Sequence, residues 1–186
     1  MLTIGASRVK NLIPSYFTGE RHMFVNMAVA YLAIDPISNM PVIVLKEVGG
    51  QRSLPIWIGI LEAAAIASEL NGIHYPRLLT HDLLKNIFNE FEIKVYRAEI
   101  CDLTDNTYYA KIYLRHNNKN FILDARPNDA LAIALRTKTP VFVAENVIEN
   151  ASNVDLFSRI KDLHGNDKDW AKILNNLRPE DFKYKM

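Results

Sequence analysis

The chain has 186 residues, enough to bury a substantial core, with 22 lysines and arginines against 21 aspartates and glutamates and a formal net charge of +1. This balance excludes a broad basic field, so any anion must be met by a local site. Cys101 is the only cysteine, which excludes an intrachain disulfide framework and a cysteine zinc cluster and fits a reducing cytoplasm; no apolar run reaches the length of a membrane span.

Residues 1–22 are basic and mixed and read as an N-terminal extension without a secretory core. Phe24 to Ile34 is apolar and predicts a strand, and Asp35-Pro36 with Ser38-Asn39 marks a turn. Val42 to Glu47 predicts a second strand, ending at the hairpin signal Gly49-Gly50. Leu54 to Ile58 is a third, with Pro55 pointing to an edge or a bulge. An alanine-rich helix follows from Ile60 to Asn71, with Gly72 as a good C′ residue. Thr80 is read as the cap of a helix from His81 to about Phe91, with Leu83, Leu84, Ile87, Phe88 and Phe91 at helical spacing. A second strand set comprises Ile93 to Leu103, Thr107 to Arg115 and Phe121 to Ala125, with turns at Asp105-Asn106 and Asn117-Asn118. A helix from Pro127 to Lys138 and a strand from Val141 to Ala144 complete the domain. The rest is polar and predicts helices around 154–163 and 169–177, with Trp170 as an anchor. This gives an extension (1–22), a domain (23–148) and a helical tail (149–186).

The two strand sets look like copies of one plan. Shifting the chain by 67 positions, the separation of Asp35 and Asp102, also lays Asn39 on Asn106 and Ala63, Ala65, Ile66 and Ala67 on Ala130, Ala132, Ile133 and Ala134. The turns coincide without a gap. The pattern predicts an α+β fold with mixed, largely antiparallel sheets. It is built from two β-β-β-α halves about a pseudo-twofold axis, with the Thr80 helix inserted between them.

The strand-to-helix junctions carry the chemistry. The first reads Trp57-Ile58-Gly59-Ile60-Leu61-Glu62 and the second Asp124-Ala125-Arg126-Pro127-Asn128-Asp129. Pro127 suits the first helical position, Arg126 before it is pushed towards extended backbone, and Asp129 falls in the first turn, where the helix dipole favours negative charge. Capping alone explains Asp129; a role in a site is the other reading. Glu62 sits on a nearly all-apolar helix and needs a partner, Arg77 or Arg126. If the halves are related, Glu62 and Asp129 approach across the axis, and two close carboxylates bind a divalent metal or share a proton. His81 reads either as a structural histidine or as a proton carrier, since histidine exchanges protons near neutral pH. Asp82 reads as a first-turn acid, since adjacent residues cannot share a helix face. Asp105 and Asn106 suit a turn, and Tyr109 alternates with core positions in a way that presents its hydroxyl to a cleft. Gly-rich phosphate loops and the His-Glu-x-x-His and Gly-x-Ser-x-Gly signatures are absent.

Leu54-Pro55-Ile56-Trp57-Ile58-Gly59 with Glu62-Ala63, then Thr80-His81-Asp82-Leu83-Leu84, Asp105-Asn106-Thr107-Tyr108-Tyr109-Ala110 and Asp124 to Ala130 together resemble the bifunctional nuclease family in order and spacing. The resemblance covers about Met27 to Asn146. It implies a small α+β protein, a homodimer or higher homo-oligomer, that cleaves DNA, RNA or both. Two features depart from the family: Asn128 stands where serine is usual, and the tail lacks the coiled segment some members carry.

Hydrolysing a phosphodiester requires an activated water, charge stabilisation on phosphate and help for the leaving oxygen. Glu62, Asp124 and Asp129 are the expected acidic cluster, able to hold a divalent ion (Mg or Mn). His81 is the expected proton carrier. Arg77 and Arg126 are the expected phosphate-holding residues, with Asn106 and Tyr109 as further substrate contacts. The competing expectation is a non-catalytic dimeric interaction or regulatory module whose Glu62–Arg126 and Asp129–Arg77 pairs are structural.

Overall fold

The computed structural model describes residues 23–73 and 75–152. The helices read at 154–163 and 169–177 lie outside the described residues. The first half is β1 (Phe24–Ile34), β2 (Pro41–Glu47), β3 (Ser53–Trp57) and α1 (Ile60–Leu70). After α2 (Thr80–Glu90), the second half is β4 (Lys94–Thr104), β5 (Thr107–His116), β6 (Lys119–Ala125) and α3 (Pro127–Thr137). β7 (Val141–Ala144) and α4 (Glu145–Ser152) follow.

The repeat is real in space. All seven strands form one sheet in the order β3-β2-β1-β7-β4-β5-β6, so each half contributes three strands in mirrored order. β7 sits at the centre, antiparallel to β1 and parallel to β4. β1 and β4 therefore run in opposite directions, as a pseudo-twofold axis normal to the sheet requires. β7 explains why the two expected sheets are one: it fuses them. The expected α+β class, with a mixed and largely antiparallel arrangement, holds.

Strand alternation sends Val25, Met27, Ile43, Leu45, Ala98, Ile100, Ile112 and Leu114 to the helix-covered face, where they meet Ala63, Ile66 and Ala67 of α1 and Ala130, Leu131 and Ala134 of α3. The alanines let α1 and α3 approach closely over the axis. The sheet is strongly curved. A flat sheet would hold β3 and β5 roughly 24 Å apart, yet the Tyr108 hydroxyl on β5 donates to the Pro55 carbonyl on β3 at 3.4 Å. Burial pushes that hydroxyl up to about 12. Pro55 lies on an edge strand, as its missing N–H demands.

Local chemistry sets the ends. The β4–β5 and β5–β6 hairpins turn on Asp105 and Asn106 (φ 50° and 59°) and on Asn117 and Asn118 (φ 48° and 60°), left-handed pairs that match strand twist. Gly72 follows α1 with φ 62°. Two details differ from the sequence reading. Leu79, not Thr80, is the N-cap of α2, and its N–H is taken by the Asp82 carboxylate at 3.0 Å, an acid at N3 reaching back. α4 had no periodic signal long enough to be read, yet Val147, Ile148 and Ala151 are buried in the core. The helix crosses residue 148, where the tail was set to begin.

Candidate acid–arginine site

Arg126 is the N-cap of α3, extended at φ −72° and ψ 148° as the following proline dictates. Its guanidinium lies between two carboxylates. Nε donates to Asp129 Oδ2 at 2.8 Å, Nη2 to Asp129 Oδ1 at 3.4 Å and Nη1 to Glu62 Oε1 at 3.4 Å. Glu62 and Asp129 are the third residues of α1 and α3, so the repeat puts equivalent acids on the two sides of one arginine. His81, one turn into α2, brings Nε2 to 3.4 Å from Asp129 Oδ1. Asn128 donates its amide to the same oxygen at 3.1 Å.

The cluster is graded in exposure. The Arg126 side chain is 67% exposed, while Asp129, His81 and Glu62 are at 29%, 19% and 17%. A guanidinium open on one side and fixed by carboxylates on the other is a bidentate anion contact. Glu62 Oε2 is shielded and has no hydrogen-bond partner. It folds back over Gly59, where an added Cβ would lie 2.2 Å from it. Gly59 thus keeps space for the carboxylate. Arg126 holds the matching place in the second half and there pairs with its own N3 acid.

Four expected residues, Glu62, His81, Arg126 and Asp129, therefore meet. Arg126 rather than Arg77 is the partner of Glu62, and Asp129 pairs with Arg126 and His81. Arg77 is exposed in the loop before α2, and no ion pair joins it to another described residue. Asp124 stands outside the cluster. Strand alternation turns it to the face away from the helices, opposite Lys111 on β5. Tyr109, 38% exposed, precedes the Ala110↔Ala125 pair and so adjoins Arg126 along the ladder. Asn106 is exposed at its hairpin tip. The trio Glu62, Asp124 and Asp129 is not a ligand set: among the described residues no group of three or more His, Cys, Asp or Glu side chains is placed to hold a metal ion.

A residue that sequence reasoning missed positions the site. Arg136 on α3 is 3% exposed and donates to Asp82 Oδ1 at 2.6 Å, to the Ala132 carbonyl at 3.2 Å and to the Ala65 carbonyl at 3.0 Å. It thereby ties α1, α2 and α3 together. Burial pulls the Asp82 carboxyl upward, but hydrogen bonds from Arg136 and the Leu79 amide, with the Arg136 charge, hold it below the usual aspartate range. Clamping Asp82 fixes the rotation of α2 and so directs the adjacent His81 towards Asp129. The signal was present: a lone charge on an apolar helix needs a partner, the argument applied to Glu62.

Comparison with known proteins agrees with the motifs. An uncharacterized protein of Mycobacterium tuberculosis is 35% identical over 159 residues, spanning 82% of this chain and 94% of that protein. Bifunctional nuclease 1 of Oryza sativa subsp. indica is 29% identical over 112 residues, 58% of this chain and 34% of its own length. Bifunctional nuclease 2 of Oryza sativa subsp. japonica is 26% identical over 107 residues, 55% and 33%. The chain thus matches about a third of each rice protein. No helix among the described residues is long and apolar enough to cross a membrane. The bifunctional nuclease domain profile matches residues 43–155, and the chain belongs to that family.

Proposed function

We propose that this chain is a nuclease that hydrolyses phosphodiester bonds of DNA, RNA or both in the cytoplasm, at the cluster of Glu62, His81, Arg126 and Asp129. The observation that carries the reading is the exposed Arg126 guanidinium, held between the equivalent acids of two helix N-termini beside an imidazole. The names of the rice relatives and the family description support the substrate class.

In this reading a phosphate oxygen takes the Nη1 proton that Glu62 holds at 3.4 Å, and the N-termini of α1 and α3 add positive potential. Glu62, released, accepts a proton from water through Oε2 as the water oxygen attacks phosphorus. The P–O bond to the leaving oxygen breaks, and His81, oriented by Asp129, gives that oxygen its proton. Water as nucleophile needs no 2′-hydroxyl, so one site serves both DNA and RNA. Asn106 and Tyr109 are the proposed flanking contacts. A magnesium or manganese ion does not fit the donor set as arranged, since both carboxylates already share a guanidinium; no step is routed through one.

The second reading, a module with structural ion pairs, is favoured by the Glu62–Arg126 contact. It leaves unexplained the unpartnered Glu62 Oε2 and an arginine two-thirds exposed. The test is cleavage of labelled single-stranded DNA and RNA by wild type, Arg126→Ala and Asp124→Asn, purified identically and assayed with Mg²⁺, Mn²⁺ or EDTA. Arg126→Ala should lose cleavage while Asp124→Asn keeps most of it. Equal cleavage by wild type and Arg126→Ala would sink the assignment.

A further inference from the structure

The two edges of the sheet are treated differently. At β3 the edge is blunted: Pro55 has no N–H to offer, and its carbonyl already accepts from Tyr108. At β6 the opposite holds. Phe121, Ile122 and Leu123 in mid-strand are 45%, 58% and 45% exposed, and the strand carries neither proline nor bulge. An open, apolar, regular edge is a template for another strand.

The pairing fixes which backbone groups face outward. Asn117 and Asn118 form a two-residue hairpin loop, so the closing pair His116↔Lys119 is hydrogen-bonded. Alternation then turns Lys119, Phe121, Leu123 and Ala125 towards β5 and leaves the N–H and C=O of Asn120, Ile122 and Asp124 at the free edge. Their number and symmetry suit self-pairing.

α2 extends the same surface. It starts beside Asp129, just past the C-terminal end of β6, and ends four residues before Lys94, whose ladder runs through Arg115 to Asn120 at the other end of β6. It therefore runs back along this side of the sheet. Leu84 and Phe88 pack into the core, while Leu83, Ile87 and Phe91, one turn apart, are 52%, 40% and 61% exposed.

We propose that the β6 edge and the Leu83–Ile87–Phe91 stripe form one docking surface for a second copy of this chain, paired antiparallel about a twofold axis at Ile122. A continuous sheet keeps helix-side residues opposite helix-side residues, so paired positions must differ by an even number. Centring on Ile122 satisfies that rule and the outward hydrogen-bonding phase together. It places Ile122 opposite Ile122 of the second copy, Phe121 opposite Leu123, and Asn120 opposite Asp124. The last pair is complementary: Arg115 already donates to Asn120 Oδ1 at 3.1 Å, which leaves the Asn120 amide to donate to a carboxylate. The stripe midpoint, Ile87, falls near the axis, so two α2 helices pack antiparallel across it. Six half-exposed apolar side chains offer on the order of 500 Å² per copy, which with a polar rim approaches the roughly 800 Å² of a stable interface. The proposal stands independently of the nuclease reading.

The test uses the full chain. Sedimentation velocity should show a dimer for wild type, and Ile122→Lys and Ile87→Lys should each weaken it about 100-fold with unchanged circular dichroism. In a Cys101→Ser background, mild oxidation should cross-link Ile122→Cys to itself, the paired Cα atoms being about 5.5 Å apart, and leave Asn120→Cys uncrosslinked. A monomeric wild type, with the surface covered by residues 153–186 or left bare, overturns the proposal. So does a dimer that survives both lysine variants, or cross-linking of Asn120→Cys in preference to Ile122→Cys.

Discussion

The two strand-to-helix junctions start from one geometry and end with different chemistry. In the first, the Trp57 indole donates to Asp35 Oδ2 at 3.2 Å, and Asp35 also takes the Ile37 amide and the Ser38 hydroxyl. That set closes a buried turn. In the second half the matching residues are Asp124 and Asp102, which cannot make the same bond, and Asp102 instead accepts from the Leu103 amide and the Thr104 hydroxyl. At the next position the first half has Gly59, making room for the Glu62 carboxylate, and the second has Arg126, which reaches both acids. One copy therefore supplies structure and a carboxylate, the other the cation. Duplication provides two equivalent helix ends, and divergence at single positions makes them complementary.

That comparison can be broken in graded ways. Arg136→Ala removes the clamp that docks both helices onto α2, and should cost about 3–5 kcal/mol in denaturant unfolding, because it opens a buried ion pair. Arg126→Ala removes only the shared cation; kcat/KM should fall by about 10²-fold or more, the scale of one charge-stabilising donor, with the unfolding midpoint nearly unchanged. Gly59→Ala puts a methyl group where Glu62 Oε2 lies; the carboxylate end can swing away, so the fold should survive while activity drops about tenfold. Trp57→Phe deletes the indole–Asp35 bond and should cost about 1 kcal/mol in stability with little effect on activity. Exchanging these last two outcomes would mean that structure and chemistry are divided the other way round.

The acid side of the pH profile sharpens the role of the clamp. The folded pKa of Asp82 lies below its unfolded value, so its stabilising contribution is present above the unfolded value and is lost as pH falls through the folded one. Unfolding free energy should therefore drop in that acid window. Asp82→Asn should flatten this part of the curve, and an unchanged slope would remove Asp82 from the account.

Much of the fold was legible because its signals are local. Asp105-Asn106 and Asn117-Asn118 name their turns, Pro127 and Gly72 mark helix ends, and the gapless repeat foretells two halves. What was not legible depends on distant partners. Nothing within β7 says that it joins β1 to β4 at the centre of the sheet. α4 spans eight residues, too few for periodicity to mark. Of the site, Glu62, Arg126, Asp129 and His81 were found because each is a polar residue at a helix start. Asp124 was misplaced because strand alternation turns it to the far face. Arg136 was missed because its partners, Asp82 and the Ala65 carbonyl, come from two other helices.

The central claim is that the acids of both halves, the shared arginine and the adjacent imidazole form one hydrolytic site. The most direct measurement is the pH dependence of kcat/KM on labelled single-stranded RNA and DNA for wild type and His81→Ala from identical purifications. The account predicts that His81→Ala loses at least about 10²-fold on both substrates and loses the limb of the profile that follows the imidazole proton. Matching rates and matching profiles for the two proteins would contradict it.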